Sequence, residues 1–342
     1  MISRTETEIM KNWRGDLSSP VVSVCCITYN HENFIEEALD SFLMQETDFP
    51  FEIVIDDDAS SDRTPLILQE YEKRYPKIIN LNIRKKNVGS VKNFFENIKR
   101  AKADLIAVCE GDDYWIDKNK LQIQAELMKK YNFGFSFHAH FERDGEKYTL
   151  IERYRKTTIV PPKEMIQRGG DFSATSSIMI QKKCVDKLES YLDIKELEVG
   201  DIYLQIICSL DGALYIDRPM SIYRIGGHWS RETNADIEKK IHHYEKNTFN
   251  LEKLSKKDDL KSLQKYFSSL MIRNRIYILT NENIEWRQKI KIYQSIFKEL
   301  NLLNKIRYIF FINVYSYKIY KSLSRLVRKI IRQKGQFYHR TD

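Results

Sequence analysis

Apolar, β-branched runs alternate along the first part of the chain with segments whose apolar residues recur every three or four positions. The continuous runs predict strands buried on both faces, and they lie at 21–27, 51–55, 78–83 and 104–108. The periodic segments between them, such as 34–43, predict amphipathic helices. Four strand–helix alternations within about 90 residues indicate βαβ units and a parallel sheet.

Three polar clusters follow three of the predicted strands, at 28–31, 56–58 and 110–113. Ligands of open α/β sheets bind beyond the carboxyl ends of the strands, so we expect the clusters to form one shared site. The third cluster holds three carboxylates within four residues, and such groups repel one another. A divalent cation shared with a phosphate is the usual remedy. Taken alone, this stretch is also explained as an acidic turn in which Gly111 supplies a tight bend.

Other stretches carry weaker chemical signals. The sequence has no G-x-G-x-x-G and no G-x-x-x-x-G-K-[ST] stretch, so nucleotide phosphates would be held by a metal ion rather than by a glycine-rich loop. His138 and His140 alternate along a predicted strand, a pattern more typical of structural histidines than of a metal site. The polar turn at 173–177 leads into a further predicted strand.

The composition is that of an ordinary globular protein, with 342 residues, 42% hydrophobic and 30% charged. The five Cys form no C-x-x-C pair, which indicates reduced core residues in a cytoplasmic protein. There is no apolar signal region and no run of about 18 apolar residues, so no membrane-spanning segment is expected. We expect a loosely attached lead-in at 1–19, one α/β domain at 20–234 and a helical region at 235–342.

Positive charge is concentrated in the C-terminal region. The formal net charge is +8, and residues 287–342 hold 14 Lys and Arg against 2 acidic residues, so the remainder is mildly acidic. The segments 302–312 and 320–332 mix basic with apolar residues, as helices that bind an anionic membrane surface do. Alternatively, their apolar stripe packs on the preceding domain or on a second subunit, which leaves a homo-oligomer open. No nucleic-acid reader motif accompanies the charge, so nucleic acid is not expected as a partner.

Six motifs, by their order and spacing, resemble family 2 glycosyltransferases of the GT-A fold. The resemblance covers about residues 20–230, and the motifs are Val22–Asn30, Glu52–Thr64, Glu110–Trp115, Thr175–Ser177, Gly200–Leu204 and Tyr223–Ser230. It implies an α/β GT-A (Rossmann-like) mixed sheet with flanking helices, followed here by the helical, basic C-terminal extension. It also implies a nucleotide-sugar donor, without identifying the sugar.

The resemblance assigns the nucleotide pocket to the ends of the first two strands. The turn formed by Thr28, Tyr29 and Asn30 would line this pocket. Asp57 and Asp58 would contact the base or the ribose, because carboxylates accept hydrogen bonds from uracil N–H groups and ribose hydroxyls.

The resemblance assigns the metal site to the third cluster. Glu110, Gly111 and Asp112 occupy the family's DXD position, where Mn²⁺ or Mg²⁺ would bind. The first carboxylate is Glu rather than Asp, so we assign the cation to Asp112 before Glu110, with Asp113 beside them on the donor side. His228 would be a further ligand of the cation or the diphosphate, and its alternative is an exposed loop histidine.

Asp201 matches the family's catalytic base, although the common Glu-Asp pair is Gly200-Asp201 in this chain. A carboxylate at this place would remove the proton of an acceptor hydroxyl. The alternative role is that of a helix N-cap. Thr175 would lie on the acceptor side, and Trp229 would offer a face to a sugar ring.

These expectations combine into one function. We expect an inverting, metal-dependent glycosyltransferase that moves a sugar from a nucleotide-sugar donor, most commonly UDP-linked in this family, to a hydroxyl of a growing bacterial surface glycan. The glycan or glycolipid acceptor would be lipid-linked, and the enzyme peripheral on the cytoplasmic face of the cell membrane. Two alternatives stay open: a catalytically silent, membrane-associated assembly partner with the same fold, and a sugar-nucleotide nucleotidyltransferase, whose expected glycine-rich basic loop is missing.

Overall fold

A computed structural model of the chain describes residues 4–226, 237–279 and 290, and of Asp171, 237–241 and 276–279 it describes the backbone alone. These residues fall into two compact units. The first comprises 4–226 with 253–267, and the second comprises 237–252 with 268–279.

The strands in the described part of the chain are β1 (Val22–Thr28), β2 (Phe51–Asp57), β3 (Ile79–Ile83), β4 (Leu105–Val108), β5 (Tyr114–Trp115), β6 (Phe135–Asp144), β7 (Lys147–Ile151), β8 (Thr158–Val160), β9 (Met179–Gln181) and β10 (Ala213–Arg224). The helices are α1 (Glu6–Met10), α2 (Ile35–Leu43), α3 (Thr64–Arg74), α4 (Ser90–Arg100), α5 (Lys120–Tyr131), α6 (Pro162–Arg168), α7 (Lys183–Tyr191), α8 (Asp201–Cys208), α9 (Ile237–Ser255) and α10 (Gln264–Leu279). Short 3-10 turns occur at Gly170–Phe172, Thr175–Ser177, Ile194–Glu196 and Asp258–Leu263.

The strands form one mixed sheet in the order β3-β2-β1-β4-β9-β6-β10-β5, with β7 beside β6 and β8 beside β10. Strands β3, β2, β1 and β4 are parallel, which confirms the sheet predicted from the strand–helix alternation. Strand β9 then pairs antiparallel with β4 and β6, and β10 runs parallel to β6. The chain moves outward from β1 to β3 and returns to β4 on the other side of β1. The strand order therefore reverses between β1 and β4, where a ligand crevice is expected.

The two central strands explain why the sequence shows continuous apolar runs. Every residue of β1 and β2 is buried. Val24 and Cys26 share one apolar cluster with the inward faces of α2 and α3. Successive side chains of a strand point to opposite faces, and α4 contacts both strands on the other face. Because both faces are covered by helices, no polar alternation remains in these strands.

The face covered by α4 holds a polar network around Asp56, which is fully buried. Asn82 Nδ2 and Arg84 Nη2 donate to Asp56 Oδ2 at 2.9 and 2.8 Å, and Asn97 Nδ2 donates to Oδ1 at 3.0 Å. Arg100 forms an ion pair with the same carboxylate. Asp56 therefore joins β2 to β3 and α4. This corrects the expectation that the whole cluster at 56–58 faces the site.

The N-terminal segment is docked on the first unit, which corrects the expectation of a loosely attached lead-in. Ile9 of α1 is buried in the core. Tyr75 Oη donates to Arg4 O at 2.8 Å. The ring of Trp13 packs edge-on against Phe51, with 5.2 Å between the centroids. The apolar residues of this short polar segment are thus sufficient to attach it.

His138 and His140 lie in β6, as the sequence predicts for a strand at this place, and both are buried. Burial lowers the pKa of His140 to about 4 and holds the pKa of His138 well below its usual range. The His138 ring contacts Ala139 O at 2.7 Å through Nδ1. These contacts are those of neutral histidines inside the sheet.

No helix among the residues that the structure describes is long and apolar enough to cross a membrane. The basic segments 302–312 and 320–332 lie outside the described residues.

Candidate active site

The turns that follow β1 and β2 are held together by reciprocal hydrogen bonds. Asn30 N donates to Ser60 Oγ at 2.8 Å, and Ser61 N donates to Asn30 Oδ1 at 2.9 Å. His31 N donates to Thr64 Oγ1 at 2.9 Å. Asn30 has a φ of 56°, a left-handed conformation in which Asn is several-fold enriched. The hydroxyls that follow β2 therefore fix the backbone of the first turn.

Asp57 and Asp58 are both buried at the end of β2. Asp57 Oδ2 accepts a hydrogen bond from Ser60 N at 2.9 Å, and Thr28 Oγ1 donates to Asp57 Oδ1 at 3.5 Å. Burial raises the pKa of Asp57. The Asp58 carboxylate accepts two backbone N–H groups of the turn at 87–89, at 2.8 and 2.9 Å. Asp57 thus stays beside the turn at 28–30, while Asp58 also supports the turn that starts α4.

The acidic loop after β4 (residues 110–113) packs against the turn that follows β1 (residues 28–31), and the contact is made at Gly111. Gly111 N donates to Ile27 O at 3.0 Å. A Cβ at Gly111 would lie 2.9 Å from Ile35 Cδ1, 3.0 Å from His31 Nδ1 and 3.1 Å from Thr28 Cβ. Gly111 has no positive φ. It is therefore required for close approach, and not for the tight bend that the sequence predicts.

The carboxylates of this loop repel one another. Burial, together with the charges of Asp112 and Asp201, raises the pKa of Glu110 to about 8. Burial, together with Asp112, holds the pKa of Asp113 well above its usual range. The Asp112 side chain is 16% exposed, so it remains partly accessible to solvent. The structure therefore brings Glu110, Asp112 and Asp113 together with Asp201, as one shared site requires.

The donor set fits a hard divalent cation. Asp113 Oδ2 is buried and has no hydrogen-bond partner among the described residues, while its Oδ1 accepts a bond from Arg224 N at 2.8 Å. Across residues 4–226 and 237–279, no three His, Cys, Asp or Glu side chains form a ready metal cage. Such cations are often bound through one or two carboxylates, with the remaining oxygens supplied by a phosphate or water. The coordination of a cation at this site would be completed in the same way.

Arg224, the last residue of β10, ties the acidic loop to α2. Its guanidinium donates to Asp112 O and to the Glu37 carboxylate. It lies 5.1 Å from the ring centroid of Phe34 and 4.5 Å from that of Tyr114, within the range of cation–π contacts. Asp112 and Arg224 are 112 positions apart, so this contact fixes the acidic loop through a residue that is distant in sequence.

Asp201 is the first residue of α8, and the N-cap is Gly200. Asp201 Oδ1 accepts a bond from Ile202 N at 2.7 Å. Its charge is also one of those that raise the pKa of Glu110 after burial and Asp112, so it lies near the acidic loop. The N-cap role that the sequence left open for Asp201 therefore falls to Gly200.

Gly200 stands where the common pair of the resembling family has Glu, and the structure gives a reason. A Cβ at Gly200 would lie 2.9 Å from Phe95 Cε2 and 3.5 Å from Phe94 Cδ1. Phe95 is 2% exposed and cannot move into solvent. The two aromatic rings of α4 occupy the space that a side chain at this position would need.

The segment that forms most of this site also matches a known protein family. Residues 23–184 match the family model described as Glycosyl transferase family 2. These residues form a family 2 glycosyltransferase domain. The match begins in β1 and contains both interlocked turns and the whole acidic loop. Asp201 follows it in the chain.

Relatives match this chain over part of their length. An uncharacterised protein of Mycobacterium tuberculosis is 44% identical over 110 residues, which are 32% of this chain and 32% of that protein. A protein named putative teichuronic acid biosynthesis glycosyltransferase TuaG, from Bacillus subtilis, is 35% identical over 128 residues, 37% of this chain and 48% of the relative. The chain thus spans about a third to a half of the length of these relatives.

A solved structure shows the same fold over most of the chain. The crystal structure of S. aureus TarS 1-349 in complex with UDP-GlcNAc has a TM-score of 0.65 and 19% sequence identity. The similarity covers 82% of this chain and 81% of that chain. The expected GT-A mixed sheet is thereby confirmed.

The glycosyltransferase domain places Thr175 on a short turn whose chain packs on α8. Gly170 lies so near that a Cβ would be 3.7 Å from Asp201 Oδ2. Gln205 of α8 donates to Gly170 O at 3.2 Å and accepts from Ser173 Oγ at 2.8 Å. Thr175 is thus carried by the segment that borders Asp201, and its acceptor role stays a prediction. Trp229 and His228 lie outside the described residues.

Two residues of the site were missed from the sequence. His31 ends the first polar cluster, and its side chain reaches the acidic loop, with Nε2 3.9 Å from Asp112 Oδ2. Arg224 belongs to the last motif but was given no role. His31 directly follows the first motif and Arg224 lies inside the last one, which was the available signal, and the contacts themselves depend on the fold.

Proposed function

We propose that the chain is an inverting glycosyltransferase that uses a nucleotide sugar, UDP-linked, and a divalent cation. The observation that carries this proposal is the acidic cluster at the switch point of the sheet. Glu110, Asp112 and Asp113 meet Asp201 there, beside the turn at 28–30. The TarS complex with UDP-GlcNAc supports the choice of UDP by its fold.

The donor side is formed by the ends of β1, β2 and β4. Thr28, Tyr29 and Asn30 line the base and ribose together with Asp57. Asp112, with Glu110 beside it, holds Mn²⁺ or Mg²⁺, which stabilises negative charge on the leaving diphosphate when it is bound. Asp113, fixed by Arg224 N, keeps the loop in place.

The acceptor side is formed by α8 and the segment at 170–177. Asp201 accepts the proton of the acceptor hydroxyl while the hydroxyl oxygen attacks the anomeric carbon. The bond from the anomeric carbon to the diphosphate oxygen breaks in the same step. One displacement from the opposite face inverts the anomeric centre.

The acceptor proposed is a growing, lipid-linked glycan of a bacterial surface. The relative named for teichuronic acid biosynthesis supports a glycan acceptor. The 14 Lys and Arg of residues 287–342 support attachment to an anionic membrane surface, on its cytoplasmic face.

Ligand-dependent stability of the full chain tests the donor assignment. UDP with Mn²⁺, each at about 100 times its Kd, is expected to raise the midpoint of thermal unfolding by roughly 5 °C or more. UDP without the cation should give a smaller shift, and other nucleoside diphosphates less. A chain that responds to no nucleoside diphosphate, with or without Mn²⁺, would be the silent assembly partner instead.

Substitution of Asp201 tests the base. Asp201→Asn should lower sugar transfer by about 100-fold or more, because the amide cannot accept the proton. The thermal shift with UDP and Mn²⁺ should persist, since Asp201 is assigned to the acceptor. Asp193→Asn, at an exposed carboxylate eight positions earlier, is the matched control. Loss of nucleotide binding together with transfer in Asp201→Asn would contradict the assignment.

A further inference from the structure

His31 bridges the nucleotide turn and the acidic loop. Its Nε2 lies 3.9 Å from Asp112 Oδ2, and its side chain is 12% exposed. Its ring lies against Gly111, where a Cβ would come within 3.0 Å of Nδ1. The backbone is fixed on both sides, because His31 N donates to Thr64 Oγ1 and His31 O accepts the first N–H groups of α2. The ring is therefore aimed at Asp112 by the fold.

Among the described residues, the main chain of Asp112 accepts a hydrogen bond, while its carboxylate accepts none. Arg224 donates to Asp112 O. In residues 4–226 and 237–279, no group donates a hydrogen bond to the Asp112 carboxylate, and His31 is the basic side chain that comes within 4 Å. An Asp that takes up a cation needs a fixed orientation, so a partner for this carboxylate is required.

We propose that His31 is a positioning residue for Asp112, an inference that rests on the proposed function. When nucleotide and cation bind, His31 Nε2–H donates to one oxygen of Asp112, and the other oxygen is turned toward the cation. The two atoms must come about 1 Å closer for a hydrogen bond. Contacts of this kind are often long without ligand and shorten in the complex.

The expected size of the effect follows from the behaviour of carboxylate ligands. Partners that hydrogen-bond a ligating carboxylate orient it, and their loss weakens metal affinity about 10–100-fold. His31 would act on the cation through Asp112, so the affinity for Mn²⁺ is the quantity that should change. The packing of the first turn should not change.

The test measures Mn²⁺ binding to the full chain in the presence of UDP, without sugar transfer. The spin-resonance signal of free Mn²⁺ gives the Kd directly. His31→Leu keeps the packing against Gly111 and removes the donor, and it should raise the Kd for Mn²⁺ about 10–100-fold. His31→Gln keeps a side-chain N–H donor and should restore a Kd close to that of the wild type.

Two controls separate this role from a loss of structure. Thermal unfolding without ligands should be similar for the wild type, His31→Leu and His31→Gln. His242→Leu removes an exposed histidine of α9 and should leave the Kd for Mn²⁺ unchanged.

The outcomes distinguish this inference from the proposed function. A wild-type Kd in His31→Leu contradicts the inference and leaves the proposed function standing. An equal loss in His31→Leu and His31→Gln contradicts it too, because the donor would then be irrelevant. If the wild type itself binds no Mn²⁺ with UDP, the metal part of the proposed function fails, and this inference fails with it.

Discussion

Single residues shape the site through close approach more than through special backbone conformations. Gly111 and Gly200 both lack a positive φ, yet a Cβ at either would lie 2.9 Å from a neighbouring side chain. Gly111 admits the side chains of the first turn to the acidic loop, and Gly200 admits the aromatic rings of α4 to the start of α8. In both places the missing Cβ allows close packing, and this packing positions the neighbouring carboxylate in the acidic cluster.

Gly200→Ala should destabilise the protein by about 1–3 kcal/mol, because the new Cβ meets the fixed ring of Phe95. Urea unfolding measures the loss. Phe95→Leu makes room at the contact, so the double variant should lose less than the sum of the two single variants. Additive losses would show that the two residues do not compete for the same space.

The site residues that the sequence predicted are those that occupy defined places in the motifs. Thr28, Asp57, Glu110 and Asp112 do lie together, because strand ends on one side of a parallel sheet must meet. Asp201 joins them from the first residue of α8. The distant partners of these residues, such as Arg224 for Asp112, were not predictable, since those contacts join positions far apart in the chain.

At the scale of elements, α4 joins the parallel strands on one face of the sheet through its polar side chains. Its Asn97 and Arg100 contact Asp56 of β2, and Arg84 beyond β3 joins the same carboxylate. Asp56 thus draws a helix and two strands together under the turn that carries Asp57. This explains why a cluster of three Asp residues serves both structure and site.

Asp56→Asn should destabilise the protein by about 3–5 kcal/mol, because two arginines lose their buried partner. The midpoint of urea unfolding measures the change. Glu46→Gln is the matched control, since the Glu46–Lys118 pair is exposed and should be worth less than about 1 kcal/mol. Similar losses in the two variants would contradict the central role of Asp56.

At the scale of the whole molecule, the response to pH includes a lysine that lies outside the acidic loop and is buried between the sheet and helix α5. Lys120 of α5 is fully buried, donates to Gln124 Oε1 at 2.6 Å and lies 4.2 Å from the ring centroid of Trp115. Burial lowers the pKa of Lys120 to about 7. In the unfolded chain Lys120 keeps its ordinary pKa of 10.5, so it stays protonated up to about that pH.

Between about pH 7 and 10.5 the unfolded state therefore binds more protons at Lys120 than the folded state does, and stability rises with pH. Lys120→Met removes this dependence. Its midpoint of thermal unfolding, relative to that of the wild type, should be highest near pH 7 and fall toward pH 9.5 by several degrees. Lys118→Met, at an exposed lysine two positions earlier, should show no such trend. A difference that is constant with pH would mean that Lys120 stays charged in the fold.

The sequence by itself determined the parallel core and the edge at which the site forms. Short, continuous apolar runs rich in β-branched residues predict strands covered on both faces, and the polar residues after those runs gather where the strands end. The order of the motifs then named the family and the chief carboxylates.

Only the tertiary structure decided which polar residues serve the site and which serve the fold. Asp56 turned to the helix-covered side and Asp57 to the site, although the two are neighbours in sequence. His31 and Arg224 reached Asp112 from 81 and 112 positions away. The physical reason is that side-chain direction and burial depend on neighbours from distant segments, and local patterns do not contain them.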